Sequence, residues 1–199
     1  VDPSDPYKLT DAEAEVVEKL CHSFKHSEKL RSHINFLYKK GGMYLVYNHN
    51  LLFHASVPLN EDRSFKKVRI GKKLYAGRAM MDRVDEFVRR AHWSSADHAE
   101  HDEAVDFMWY LWCGPDSPLF DKSAMTTFER YFIAEKETHH EEKGYYYVYR
   151  VEQEVCERIL EEFGLSGNDT HIINGHVPVK AVKGEHPLQA GGKLMLIDG

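Results

Sequence analysis

Two histidines lie where a fold could gather them for metal chemistry. In Ile172-Ile173-Asn174-Gly175-His176-Val177-Pro178-Val179, an apolar run of strand type stops at a glycine and an imidazole follows at once. Pro178 blocks any helix beyond it. The spacing predicts an imidazole on a tight turn at the carboxyl end of a strand, where open α/β sheets hold their ligands. Leu51-Leu52-Phe53-His54, followed by Ala55-Ser56-Val57-Pro58, has the same design. Two strand-end imidazoles far apart in sequence are what a metal site assembled by a fold would use. The plainer alternative is that each histidine simply caps its strand.

Three other sets of histidines read as solvated. His22 and His26 are four apart on a helix, His139-His140 precede Glu141-Glu142, and His98 and His101 lie beside acids, all in charged stretches. The run Tyr145-Tyr146-Tyr147 with Tyr149 reads as core packing at a helix start rather than a platform for stacking bases. Trp109 and Trp112, three apart, read as one buried helix face.

Several elements must position these residues. Thr10 and Glu13 are spaced as a capping box, so a helix starts there with Val16, Val17, Leu20 and Phe24 as its apolar face. A second helix, with Leu30, Ile34 and Leu37 facing in, runs to about Lys40 and stops at Gly41-Gly42. Met43–Tyr47 and Leu51–His54 form two strands joined by a hairpin-like turn at Asn48-His49-Asn50. Residues 60–70 are charged and read as exposed. Leu74 to Ala91 and Ala99 to Trp112 are helices, the latter ending at Gly114-Pro115. Thr126 and Glu129 match a second capping box before a short helix, and His139 to Gly144 is a polar break. Tyr147 to Phe163 is a helix ending at Gly164, and strands follow at 171–174 and 194–197. Helical segments thus cover about 10–40, 72–112 and 147–163. A sheet with so few strands is expected to leave apolar faces uncovered.

At 199 residues, the chain reads as one domain or a large piece of one. With 42% hydrophobic and 29% charged residues, it has a globular composition. A net charge of −6 with interspersed signs argues against a nucleic-acid binder. No apolar run approaches the ~20 residues of a membrane span, and no signal peptide is evident. The chain begins at Val1 rather than Met, as a processed or excised piece would. Cys21, Cys113 and Cys156 show no paired spacing, and a reduced cytoplasm is the expected setting.

Four landmarks resemble the metallophosphoesterase (calcineurin-like) superfamily, in its order: Leu51–Ser56, Leu111-Trp112-Cys113-Gly114-Pro115, Gly175-His176-Val177-Pro178-Val179 and Leu196-Ile197-Asp198-Gly199. The stretches Trp109–Phe120 and Met125–Ile133 are more specific. With the approach Tyr44–Asn48, they resemble the class III fructose-1,6-bisphosphatases of Firmicutes and related bacteria. The superfamily's DxH, GDxxDRG and GNHE blocks are absent; Asp97-His98 has the wrong spacing, and Asn48-His49-Asn50 lacks the glycine and the acid. The chain therefore resembles the C-terminal part of a longer phosphatase.

The resemblance implies an α/β fold, the C-terminal portion of a two-sheet sandwich flanked by helices. It implies hydrolysis of the 1-phosphate of fructose 1,6-bisphosphate in gluconeogenesis, by a metal-bridging hydroxide at a dinuclear Mn²⁺ site. His54 and His176 would each supply a ring nitrogen, and missing upstream sequence the other ligands. On two ligands alone, the isolated chain is expected to be inactive. Arg130 is the candidate phosphate-binding and catalytic guanidinium, its planar fork suiting a phosphate. Asp116 and Lys180 are further substrate-binding candidates, with plain loop solvation as their alternative, and Asp198 reads as structural. The expected partner is a small sugar bisphosphate, without nucleic acid or membrane, in a cytoplasmic protein whose assembly into identical subunits stays open. Two alternatives remain: a protein or dinucleoside-polyphosphate phosphatase of the same superfamily, or a non-catalytic module on the same scaffold.

Overall fold

The computed structural model describes residues 4–5, 7–94 and 99–198. Asp97, His98 and Gly199, named above, lie outside the described residues. The chain divides into two compact units, Val1–Gly41 and Gly42–Gly199.

The first unit is two helices, α1 (Asp11–His26) and α2 (Glu28–Lys40). The capping box forms as expected: Thr10 accepts from the Glu13 N–H, and the Glu13 carboxylate accepts from the Thr10 N–H at 2.7 Å. Ser27 caps α2, and Gly41 ends it. Neither helix buries a side chain. Val16, Val17, Leu20, Phe24 and Leu37, expected to face inward, are exposed.

The second unit is mixed α/β. A five-stranded sheet contains β1 (Tyr44–Tyr47), β2 (Asn50–Phe53), β5 (His171–Asn174), β6 (Leu188–Gln189) and β7 (Leu194–Leu196), in the order β1-β2-β5-β7-β6. β2, β5 and β7 are parallel neighbours, and the edge strands β1 and β6 run antiparallel. Tyr47 pairs with Asn50 across a two-residue turn, Asn48-His49, in which both residues have positive φ. Such a turn matches the twist of the strands it joins.

Residues 60–70 depart from the sequence reading. β3 (Val68–Ile70) and β4 (Lys73–Tyr75) form a second, two-stranded sheet, and Val68 and Ile70 are buried. The charges of Lys66, Lys67 and Arg69 masked the alternation. Leu74, expected to open a helix, belongs to β4, and α3 runs over Gly77–Trp93. α4 (Ala99–Cys113) and α5 (Thr127–Phe132) follow. The helix expected from Tyr147 to Phe163 is two helices, α6 (Tyr145–Tyr149) and α7 (Gln153–Glu162).

One sheet face forms the core. Leu51, Phe53, Ile172, Leu194 and Leu196 are buried there with Met80, Met81, Val84 and Phe87 of α3 and Val155, Ile159 and Leu160 of α7. Each such aliphatic side chain contributes about 1.5–3 kcal/mol on burial. The opposite face carries Leu45, Leu52, Ile173, Met195 and Leu188 in one register row. None of these five is buried, and Leu45 is 55% exposed, so the expectation of an uncovered apolar face holds for this sheet. Trp109 and Trp112 are also exposed, packing edge-on to each other at 5.0 Å rather than into the core. No described helix is long and apolar enough to cross a membrane.

Candidate metal and phosphate site

β2 and β5 lie side by side and parallel, with Phe53 the register partner of Asn174. The chain leaves both strands at the same end. His54 follows directly, and His176 follows after Gly175. Their rings meet edge-on with centroids 4.9 Å apart. His54 Nε2 lies 3.1 Å from His176 Nδ1, one donating and the other accepting according to tautomer.

The His176 turn is strained. Its φ is +69°, and the Val177 N–H donates to the Gly175 carbonyl at 2.9 Å. This is a γ-turn with positive φ at its centre, the rarer and more strained of the two forms. Two aromatic rings hold the imidazole there, Phe120 at 6.1 Å and Tyr147 at 6.5 Å. The Tyr147 hydroxyl donates to the Phe120 carbonyl, joining the two walls.

Burial pushes the His176 pKa down, and the nearby His54 and Lys122 act in the same direction against Asp198. A neutral imidazole keeps a lone pair for a metal. Two nitrogens bound to one first-row ion at ~2.0–2.1 Å lie roughly 3.0–3.4 Å apart. The observed 3.1 Å separation therefore fits two donors on one ion. The fit is partial: among the described residues, no three His, Cys, Asp or Glu side chains form a metal-binding group.

The other sequence candidates are dispersed. Arg130 lies on α5, and its Nε donates to Thr126 Oγ1 at 2.9 Å while Nη2 donates to the His139 carbonyl at 3.0 Å. No described contact joins it to either imidazole. Asp116 is ion-paired with Lys66 at 2.6 Å. Lys180 is exposed, and its backbone N–H donates to Glu185 at 2.9 Å. The Asp198 backbone carbonyl accepts from the Val179 N–H, and its carboxylate flanks Gly175.

Residues not singled out from the sequence complete the surroundings. The Lys122 ammonium lies 5.1 Å from the Phe120 ring centroid, and the Arg150 guanidinium 5.4 Å from that of Tyr147. The two rings against His176 thus each carry a cation. Lys143 bridges Lys122 through the backbone. The Lys143 pKa is lowered by burial, then by Arg150, Lys180 and Lys122, so these four cations share one neighbourhood. Glu141, expected to be solvated, is part-buried and accepts from Thr126 and Lys122. The Thr126–Glu129 capping box does not form, because this outside acid takes the Thr126 hydroxyl and N–H. One signal was available for Asn174: a polar residue two positions from Ile172 must share its buried face. The cysteines are free, and burial pushes the Cys156 thiol up to about 12, which removes it as a nucleophile.

The family model described as Firmicute fructose-1,6-bisphosphatase matches residues 1–199. The chain is 65% identical to a protein of Porphyromonas gingivalis named fructose-1,6-bisphosphatase class 3, over 100% of this chain and 30% of that protein. It is 60% identical to the protein of the same name in Bacteroides fragilis and 55% to that in Clostridium tetani, with the same coverage. The chain thus spans 30% of the length of the curated relatives it matches. No solved structure matches it. Two imidazoles closed together at the ends of parallel strands, on a chain matched from end to end, lead to one assignment: the chain belongs to the Firmicute fructose-1,6-bisphosphatase family.

Proposed function

We propose that this chain supplies part of the active site of a metal-dependent fructose-1,6-bisphosphatase, which hydrolyses the 1-phosphate of fructose 1,6-bisphosphate in gluconeogenesis in the cytoplasm. The observation that carries this reading is the 3.1 Å approach of His54 Nε2 to His176 Nδ1 at the carboxyl ends of β2 and β5.

His54 and His176 are the residues that would hold Mn²⁺, each through a neutral ring nitrogen. When bound, a dinuclear centre of this kind lowers the pKa of a water and offsets the negative charge of the phosphoryl oxygens. The chain's own residues prepare the place. Phe120 and Tyr147 wall His176 and limit its contact with water. Lys122, Lys143 and Lys180 raise the local positive potential and draw a bisphosphate towards the histidines, despite the net charge of −6. Arg150, only 8% exposed, adds to that potential. Arg130 keeps N–H groups beyond the two that its neighbours engage, and these suit a phosphate. Asp116 acts by holding Lys66 beside the loop that carries it.

The test is Mn²⁺-dependent phosphate release from fructose 1,6-bisphosphate by the complete gene product. Turnover that is lost on His176→Ala and on His54→Ala, with the fold intact, is the expected result. Undiminished turnover in either variant would overturn the assignment of that histidine.

A further inference from the structure

We propose that Asn174 is the positioning residue that sets the spacing of His54 and His176; the proposal rests on the reading of those two histidines as metal ligands. Asn174 is fully buried, at 0% exposure. Its Nδ2 faces three successive backbone carbonyls at the end of β2 and just past it: Phe53 at 3.4 Å, His54 at 2.9 Å and Ala55 at 3.0 Å. An amide has two N–H groups, so the two short contacts are the bonds and the third is a weaker share. On the other side, Oδ1 accepts from the Tyr146 hydroxyl at 3.2 Å and from Arg150 Nη1 at 3.4 Å.

The need for this side chain follows from where β2 stops. The pairing of β2 with β5 ends at Phe53 and Asn174. Beyond that point, the part-buried His54 carbonyl and the buried Ala55 carbonyl have no strand partner, and a carbonyl shielded from water and left unpaired is costly. The Asn174 amide supplies donors to both. The Gly175 N–H also donates to the His54 carbonyl, at 3.0 Å. His54 is therefore held by its own carbonyl to the two residues that immediately precede His176.

Gly175 permits this closeness. A Cβ there would lie 3.2 Å from Asp198 Oδ1 and 3.4 Å from the His54 carbonyl oxygen. The strained φ of His176 then leaves the imidazole little choice of direction while the carbonyl clamp holds. Tyr146 and Arg150 fix the amide from α6 and from the residue that follows it. Core packing and metal-site geometry thus meet in one carboxamide.

The test compares Asn174→Asp and Asn174→Leu with the parent protein. Asn174→Asp keeps an acceptor for Tyr146 and Arg150 and loses both donors to the carbonyls; Asn174→Leu loses both sets. Circular dichroism and thermal unfolding establish which variants fold. In metal-free protein carrying ¹³C-labelled histidine, the parent is expected to show a nuclear Overhauser contact between the His54 and His176 rings. Folded Asn174 variants are expected to lose it, and their Mn²⁺ dissociation constant to rise by about tenfold or more. At saturating Mn²⁺, the KM for fructose 1,6-bisphosphate stays near the parent value, separating ligand positioning from substrate binding. Should Asn174→Leu fail to fold, Asn174→Asp and Tyr146→Phe carry the test, the latter with partial loss of the ring contact. A folded Asn174→Asp that keeps both the ring contact and the Mn²⁺ affinity would overturn the proposal. If His54→Ala and His176→Ala leave Mn²⁺ affinity unchanged, the metal reading fails instead, and the ring contact in metal-free protein still decides the role of Asn174.

Discussion

Ser56 donates its hydroxyl hydrogen to Asp121 Oδ2 at 2.5 Å, with both residues buried two positions beyond His54 and one beyond Phe120. Burial pushes the Asp121 carboxyl up to about 6, with Asp116 adding to the rise and the Ser56 bond and Lys66 opposing it. An unfolded Asp titrates near ~3.9. The folded chain therefore holds this proton more tightly, and stability falls as pH rises from about 4 through about 6, by up to about 3 kcal/mol. Asp121→Asn keeps an acceptor for Ser56 and suits the positive φ at this position. Its unfolding free energy is expected to vary less over pH 4–7 than the parent's, as read by urea titration at each pH. An identical slope in both proteins would remove Asp121 as its source.

Glu141 has the opposite sign. Burial would raise its carboxyl, but the Thr126 N–H, the Lys122 ammonium and the Thr126 hydroxyl outweigh it and bring the pKa to about 2. The stabilisation is complete above about pH 4.5 and is lost as pH falls towards 2. Glu141→Gln is expected to cost about 2 kcal/mol at pH 7, the scale of a charge-assisted hydrogen bond. That difference should shrink in acid. A pH-independent difference would show that the carboxylate charge contributes nothing.

The sequence made local features visible and left non-local ones hidden. The Thr10–Glu13 capping box, the 171–174 strand and the turn expected at Asn48-His49-Asn50 depend on neighbours a few residues apart; the first two formed as read, and the turn formed on Asn48-His49 with Asn50 already in β2. Thr126 had the same local spacing as Thr10, yet Glu141 captured it from 15 residues away. The Trp109–Trp112 pair had helical spacing, but spacing does not say whether anything lies opposite. The two strand-end histidines were visible as types and places. Their pairing depends on β2 and β5 being neighbours across 122 residues, and the hydrophobic pattern does not encode strand order. Asn174 could be recognised as a polar residue on a buried face, but its three carbonyl contacts exist only once that order is known.

Backbone strain at His176 gives a prediction independent of metal. A non-glycine residue in the left-handed region costs roughly 1–2 kcal/mol relative to its ordinary conformation. His176→Gly and His176→Ala both remove the imidazole, and only the first removes the strain at φ +69°. After allowing for the greater freedom of unfolded glycine, His176→Gly is expected to be the more stable by about 1 kcal/mol. Urea unfolding of the two metal-free variants measures it. An Ala variant equal or superior to Gly would mean that the turn relaxes out of the positive-φ region.

Lys143 tests the electrostatic part of the functional reading. Among the described residues, no hydrogen bond or ion pair engages its ammonium, whereas Lys122 is paired with Glu141 at 3.1 Å. Arg150, Lys180 and Lys122 all disfavour its charge, and Glu185 is the acid that opposes them. An unpaired cation among cations stabilises no fold contact, so its removal should leave the unfolding midpoint nearly unchanged. An incoming phosphate would relieve the repulsion and gain the attraction. Lys143→Ala is therefore expected to raise the KM for fructose 1,6-bisphosphate by roughly fivefold, the scale of one partly exposed charge contact, with kcat little changed. The ratio should diminish as salt shortens the screening length. A KM equal to the parent's at low salt would place the bisphosphate away from this cluster and leave Arg130 as the remaining guanidinium candidate.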